Sequence, residues 1–306
     1  MSPWTPSVSV IIPTRDRPQL LQRALDSAIG QDYDGDIEVL VVFDRQEPTL
    51  TDREYRPGRR LKVLTNVRAA NAAGTRNSGI AAAEGELVAF CDDDDVWLPG
   101  KLRAQVELLT RHSEAVGCCT GIYIQYRDTQ TERRPPQEVT THRDMLRSRV
   151  AELHPSTAVF RRSSLMGEVG LVDEELPGSY AEDYDLMLRA TRQGPIVAVC
   201  DPLVRVYWHD GSWFTGDWAT IIAAINHMLV KHPDFYEEPV GLSRLFGRLA
   251  FAHAALGQRS SARSYALRTM RLNPREKRAY ISLAVSTGVL PSKVAMRVAN
   301  LAGKAI

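Results

Sequence analysis

The sequence predicts an α/β protein, a mostly parallel, doubly wound sheet followed by a small α-helical segment. Three observations carry this. Short β-branched runs alternate with amphipathic helical stretches through the first half of the chain. One such run, Leu87-Val88-Ala89-Phe90-Cys91, ends directly in four consecutive carboxylates, Asp92 to Asp95. Beyond Pro233 to Pro239 the apolar pattern is helical only.

Val8 to Ile12 is the first strand, ended by the breaker-rich loop Pro13-Thr14-Arg15-Asp16-Arg17-Pro18. Leu20, Leu21, Ala24, Leu25, Ala28 and Ile29 recur every three or four residues, which makes a helix closed by Gly30. Ile37 to Phe43 is the second strand and Leu61 to Leu64 a weaker third. Asn71 to Ala83 reads as a loop entering a small-residue helix, before the strand Leu87 to Cys91. Lys101 to His112 is a helix with Leu102, Val106, Leu108 and Leu109 on its apolar side. The second half is more irregular. Strands are expected at Val116 to Tyr126 and Ala158 to Phe160, with an exposed loop at Asp128 to Glu138. A short helix, Ala181 to Arg192, precedes two strand-like pieces, Ile196 to Cys200 and Leu203 to Trp208.

Composition narrows the function classes. The 306 residues give room for one large or two modest domains. With 38 Lys and Arg against 37 Asp and Glu, no global basic field argues for nucleic acid. The N-terminus lacks the charged region and apolar core of a signal peptide, and no apolar stretch reaches the ~18 residues that span a bilayer. Cys91, Cys118, Cys119 and Cys200 have neither zinc nor disulfide-framework spacing, so buried free thiols are expected. A reduced, cytoplasmic protein follows, with peripheral contact at the inner membrane face left open.

Four adjacent carboxylates repel one another, and burying them together demands a compensating cation. A strand that ends in them delivers the acids to the carboxyl edge of a sheet, where open α/β folds hold ligands. Hard oxygen donors there suit Mg²⁺ or Mn²⁺ shared with substrate phosphates. An isolated acidic run is more often a solvated turn. The flanking strand and the Trp97-Leu98-Pro99 continuation favour the site instead.

Five ordered pieces carry a resemblance: Val8 to Arg17, Val41-Val42-Phe43-Asp44, Arg76-Asn77-Ser78-Gly79, Asp92 to Leu98, and Glu182-Asp183-Tyr184-Asp185-Leu186. Together they resemble the inverting glycosyltransferases of family 2, over roughly residues 7 to 215. The resemblance implies the GT-A fold, a nucleoside-diphosphate sugar as donor, and Mn²⁺ or Mg²⁺ as cofactor. Asp92-Asp93-Asp94 is similar to the family's Asp-x-Asp motif, with Asp94 as metal ligand and Asp92 reaching the metal or the ribose. Four acids in a row leave that register open by one residue. Asp95 is left to orient the loop or to serve the acceptor. Pro13, Thr14 and Arg15 fall where the family holds the base and ribose, and Asp44 where it commonly has paired acids, the first of which is here Phe43. Arg76 can reach a phosphate or pair with the acidic run. Asp183 corresponds to the general base, with Glu182 as the next candidate. The base takes the acceptor's proton as the acceptor attacks opposite the leaving diphosphate. His209 matches a late His-containing stretch and is a third metal candidate. Taken alone, Asp185 and Arg189 are an ordinary surface pair at i and i+4.

Beside those five pieces, Trp208, Trp213, Phe214 and Trp218 cluster, for sugar stacking or packing. His154 and Ser156-Thr157 precede a strand and could line the acceptor side. Domains are expected at 1–235 and 236–306. In the second, Phe246, Leu249 and Ala250 recur 34 residues later as Tyr280, Leu283 and Ala284, which resembles a tetratricopeptide repeat. A generic helical cap is the alternative. The apolar, sparsely basic stretch from Lys293 to Lys304 could touch a membrane. The expected partners are the donor and an acceptor hydroxyl or amine on a glycan, lipid-linked sugar, natural product or protein, without nucleic acid. The rival readings are a sugar-phosphate nucleotidylyltransferase and a non-catalytic scaffold. The first normally carries a Gly-rich basic loop where this chain has Pro13 to Pro18.

Overall fold

In a computed structural model, residues 4–150, 152–208, 217–292 and 294–296 are described. They form one mixed sheet flanked by helices, and a separate helical unit. The first unit comprises residues 1–145, 150–175 and 181–212, the second 146–149, 176–180 and 213–306.

The chain opens with β1 (Val8–Thr14), α1 (Pro18–Ile29), β2 (Ile37–Phe43), β3 (Arg53–Arg56), β4 (Arg59–Thr65), α2 (Ala72–Ala82) and β5 (Leu87–Phe90). Next come β6 (Val96–Trp97), α3 (Lys101–Arg111), β7 (Gly117–Tyr126), β8 (Thr129–Arg133), β9 (Val139–Thr140) and α4 (His142–Arg147). The sheet unit closes with β10 (Val159–Arg161), α5 (Arg162–Met166), α6 (Glu182–Gln193) and β11 (Ile196–Trp208). Strand order is β3-β4-β2-β1-β5-β10-β7-β11-β6, with β8 added to β7 and β9 to β11. β4, β2, β1 and β5 run parallel, β10 is antiparallel to both its neighbours, and β11 runs parallel to β7. β1, β2 and β5 are buried on both faces, and this explains why they read as nearly continuous apolar runs rather than alternations, while β4 is only partly covered. Val8, Val10 and Ile12 meet Leu21, Leu25 and Ile29 of α1 and Leu102 and Leu109 of α3 in one core. Ile11 faces the other way, and α2 comes so close that a Cβ on Gly79 would sit 2.5 Å from Ile11 Cγ2.

Three expectations are corrected. The Asp128–Glu138 stretch contains a strand: β8 pairs antiparallel with β7, Tyr126 opposite Thr129, through a turn with Arg127 at φ 50°. Its Thr129 to Glu132 are all exposed, so a solvated edge strand carried no apolar alternation to reveal it. The two late pieces are one strand, β11, whose register shifts on either side of Pro202. Asp185 and Arg189 are not a surface pair. Asp185 is fully buried, accepts from Arg189 Nε at 3.0 Å, and the same guanidinium donates to the Val169 and Leu171 carbonyls. The cysteines are free, Cys91, Cys118 and Cys119 buried and Cys200 exposed.

The second unit contains α7 (Trp218–Lys231), α8 (Pro239–Ala255), α9 (Arg259–Leu272) and α10 (Lys277–Ser286). Ala250, Ala266 and Ala279 make its small-residue core, joined by Tyr265, Met270 and Leu283. Trp218 packs edge-on against Phe251, with ring centroids 5.3 Å apart, which settles it as a packing residue. Trp213 and Phe214 lie outside the described residues. No helix among the described residues is long and apolar enough to cross a membrane.

Candidate active site

Parallel registry brings the carboxyl ends of β1, β2 and β5 to one edge of the sheet. Thr14 pairs with Phe43, and Ile11 with Phe90, so Thr14, Asp44 and the acidic run leave that edge side by side. The run turns at once, with Asp95 N donating to Asp92 O at 3.0 Å.

Four neighbouring acids coexist because each accepts from at least one donor, Asp93 and Asp94 sharing Arg17. Asp92 Oδ1 accepts from Arg76 at 2.7 Å, and its backbone N–H donates to Ser156 Oγ at 3.0 Å. Asp93 accepts from Thr14 Oγ1 at 2.8 Å and from Arg17 at 3.2 Å. Asp94 accepts from Arg17 at 2.8 Å. Asp95 turns inward, 1 % exposed, and accepts from Ser156 Oγ at 2.5 Å with His154 Nδ1 at 3.6 Å. Burial pushes the acids toward their neutral forms. It lifts Asp93 to about 6 against its bonds to Thr14 and Arg17, and raises Asp94 and, furthest, Asp95. Asp92 differs: burial opposes its charge too, but the buried Arg76 guanidinium holds its carboxyl below the usual range.

Arg76 is the hub. It projects from α2, 6 % exposed, and also donates to Glu182 Oε1 at 2.7 Å, so one guanidinium ties the acidic run to the start of α6. Both acids keep its own proton firmly bound, against the cost of burial. Burial lifts Glu182 to about 6, Arg76 opposing and Asp183 adding to the rise. Asp183 lies in the first turn of α6, after Ala181 in a left-handed conformation, and its charge is felt by Asp92 and His154 as well.

The structure thus gathers Thr14, Arg76, Asp92, Asp93, Asp94, Glu182 and Asp183. Asp44 stands beside them, accepting from Asn66 Nδ2 at 2.8 Å, while its N–H donates to Thr14 O. Pro13 is within β1, opposite Val42. Arg15 is outside the network, half-exposed and near only its neighbour Asp16. His209 lies outside the described residues. Arg17 was missed as the cation between Asp93 and Asp94. Its place in the Thr14–Pro18 loop was the only signal. Asn66 was missed as well, since a strand-end Asn has no signature of its own. Ser156 has a larger part than its sequence reading. Trp97 Nε1 donates to its carbonyl at 2.8 Å, so the 3₁₀ turn Pro155–Thr157 is pinned to the acidic loop from both sides.

The donor set fits a divalent cation. One ligand atom each from Asp92, Asp95 and His154 lies within 4.8 Å of the others, and the charge of Asp94 is felt by Asp95 and His154. Carboxylate oxygens with an imidazole nitrogen suit Mn²⁺ and tolerate Mg²⁺.

Comparison with known proteins bears on the fold and the family. Over 108 residues the chain is 32 % identical to an Escherichia coli UDP-Glc:alpha-D-GlcNAc-diphosphoundecaprenol beta-1,3-glucosyltransferase, WfgD, covering 35 % of this chain and 42 % of that one. Over 101 residues it is 35 % identical to a Campylobacter jejuni GalNAc(5)-diNAcBac-PP-undecaprenol beta-1,3-glucosyltransferase, covering 32 % of each. The match therefore spans less than half the length of these relatives. Among solved structures, S. aureus TarS in complex with UDP-GlcNAc superimposes with a TM-score of 0.64 at 18 % identity, over 97 % of this chain and 92 % of that one. A Pyrobaculum calidifontis mannosyltransferase, PcManGT, in complex with GDP-Man and Mn2+, gives 0.52 at 19 %, over 98 % and 80 %. These likenesses establish the GT-A fold. The family model for glycosyl transferase family 2 matches residues 9–167, just over half of the chain, and this protein belongs to that family.

Proposed function

We propose that the protein is a metal-dependent inverting glycosyltransferase, moving a sugar from a nucleoside-diphosphate sugar to an acceptor hydroxyl or amine. The observation that carries this is the Arg76 bridge, which holds the acidic run and the Glu182-Asp183 pair around one site. Asp92 and Asp94 are the proposed holders of Mn²⁺ or Mg²⁺, with His209 as the third. Asp92, Asp95 and His154 form the competing set. A bound cation would screen the diphosphate and stabilise its departure.

The protein's own groups divide the remaining work. Thr14 and Asp44, at the ends of adjacent strands, are the proposed contacts to the base and ribose, with the Asp44 carboxylate accepting. Arg76, carrying two anionic partners, fixes Asp92 for the donor side and sets the position of α6. Asp183 is the proposed base: it takes the acceptor's proton as the acceptor oxygen or nitrogen bonds to C1 and the C1–O bond to diphosphate breaks. Glu182 is the weaker candidate because its carboxylate is bonded to Arg76. Two relatives are named for transfer onto diphosphoundecaprenol-linked sugars, which makes a lipid-linked sugar the acceptor to test first and UDP-glucose the first donor. In the second unit, the packing of α8, α9 and α10 on their alanines supports an incomplete tetratricopeptide-like array. The nucleotidylyltransferase reading has no Gly-rich loop after β1 to support it.

The test is calorimetric titration of UDP, GDP and their sugars with and without Mn²⁺, on wild type and Asp94→Ala. Metal-dependent binding of one diphosphate, lost in the variant, is expected. If no nucleotide binds a folded sample, the donor site is wrong.

A further inference from the structure

The near-neutral charge of the whole chain conceals a segregation. Residues 239–306 contain twelve Arg and Lys but a single acid, Glu276. Glu276 is buried and already accepts from Arg278 at 3.0 Å. Arg259, Arg263, Arg268 and Arg271 on α9, with Arg275 and Lys277 just beyond it, are exposed, and none has an acidic partner among the described residues. Six uncompensated cations on one short stretch repel one another, and folding alone gives no return for keeping them together.

Their arrangement on α9 identifies the partner. Ala262, Ala266 and Thr269 form the buried stripe of this helix. At 100° per residue the opposite side carries Leu267, Arg268 and Arg271, with Arg263 at its edge, so Leu267, half exposed, projects from between guanidinium groups. Ser260 and Ser264 fill the gaps, and Leu256 is also exposed at the end of α8. A nucleic-acid surface would interleave cations with base-stacking aromatics. Here the central group is aliphatic, and the one aromatic of α9, Tyr265, is half-buried, stacked on the His253 ring and covered by the Arg268 guanidinium. Arginines around an exposed leucine on a helix lying flat match a surface of anionic headgroups above acyl chains.

We propose that the outward face of α9, continued by Arg275 and Lys277, is a docking surface for an anionic lipid membrane. It rests on the second unit alone and stands or falls independently of the transfer chemistry.

The test is flotation of the full chain with vesicles of phosphatidylcholine, or of phosphatidylcholine with about a third phosphatidylglycerol. Binding is expected only to the anionic vesicles and is expected to be released by about 0.5 M salt. Arg263→Glu with Arg268→Glu and Arg271→Glu should weaken it at least about tenfold, with the helical circular dichroism retained. Leu267→Ser should weaken it without any change of charge. Arg53→Glu with Arg56→Glu, exposed on β3 of the other unit, should leave it intact. Equal binding to both vesicle types, or none to the anionic ones, overturns the proposal. So does an undiminished triple variant. A Leu267→Ser variant with full vesicle binding, together with equally tight binding of heparin, would make the surface a general polyanion site and overturn the membrane assignment.

Discussion

Glu182 and Asp183 are neighbours on one helical turn, and Arg76 is bonded to Glu182. A carboxylate bonded to a buried guanidinium is held in place and costs free energy to redirect, which suits an anchor better than a mobile base. Asp183→Asn should therefore lower kcat by about 10² to 10⁴ while nucleotide affinity stays nearly constant. Glu182→Gln should instead weaken both nucleotide binding and thermal stability. The opposite pattern, full turnover in the first and loss confined to kcat in the second, would exchange the assignments. The metal register is testable in the same way. Asp94→Asn should remove the gain in nucleotide affinity on adding Mn²⁺, and Asp95→Asn should leave it. A reversed result in titration calorimetry would move the cation to Asp92, Asp95 and His154. Residue chemistry was legible where types clustered in sequence, as in Asp92 to Asp95 and Glu182-Asp183. It was not legible where meaning came from tertiary placement. Nothing in the spacing distinguishes inward Asp95, on Ser156, from Asp94, on Arg17.

Between elements, the acidic loop owes its shape to the 3₁₀ turn Pro155–Thr157. Ser156 Oγ donates to Asp95 and accepts from Asp92 N–H, and Gln105 Nε2 of α3 holds the next carbonyl, Thr157 O, at 2.8 Å. Ser156→Ala removes one donor from buried Asp95 and the acceptor of the Asp92 N–H, leaving Asp95 the Tyr207 backbone N–H, so destabilisation by about 1–3 kcal/mol is expected, with weaker metal-dependent nucleotide binding. Urea denaturation and calorimetry on one preparation would measure both, and an unchanged midpoint would show that the turn needs no such bond. The central parallel strands β1, β2 and β5 were readable because burial on both faces makes them mostly apolar. Strands β3 and β8 escaped because they are mostly exposed and are held by pairing with β4 and β7, information their own side chains do not carry.

At the scale of the whole molecule, counting charge over all 306 residues hid the separation of basic and acidic segments, because the two nearly cancel. A second global property follows from Lys101. Its ammonium is fully buried without a carboxylate, donating to Gln105 Oε1 at 2.8 Å and lying 3.8 Å over the Trp97 ring. Burial depresses it to about 7 from an ordinary 10.5. Above pH 7 the unfolded chain binds a proton there that the folded chain does not. Stability therefore rises with pH from about 7, by up to about 1.4 kcal/mol per unit. The buried thiols of Cys91, Cys118 and Cys119 act in the opposite sense. Burial holds all three above their ordinary 9.0, so the unfolded chain loses those protons first and stability falls as pH rises past about 9. His112 has its pKa raised by Glu114 and Glu138, but it is exposed to solvent and adds only a minor opposing effect near neutrality. Buried Asp95, held well above its ordinary 3.8, opposes the Lys101 rise for as long as it stays protonated in the fold, so the Lys101 contribution is read from the difference between wild type and a Lys101 variant. In Lys101→Met the ascending limb should flatten, whatever constant cost the unpaired Gln105 oxygen adds, because that cost does not vary with pH. Urea titrations from pH 6.5 to 10 on both proteins would decide it, and an equal slope in the variant would assign the limb to some other group.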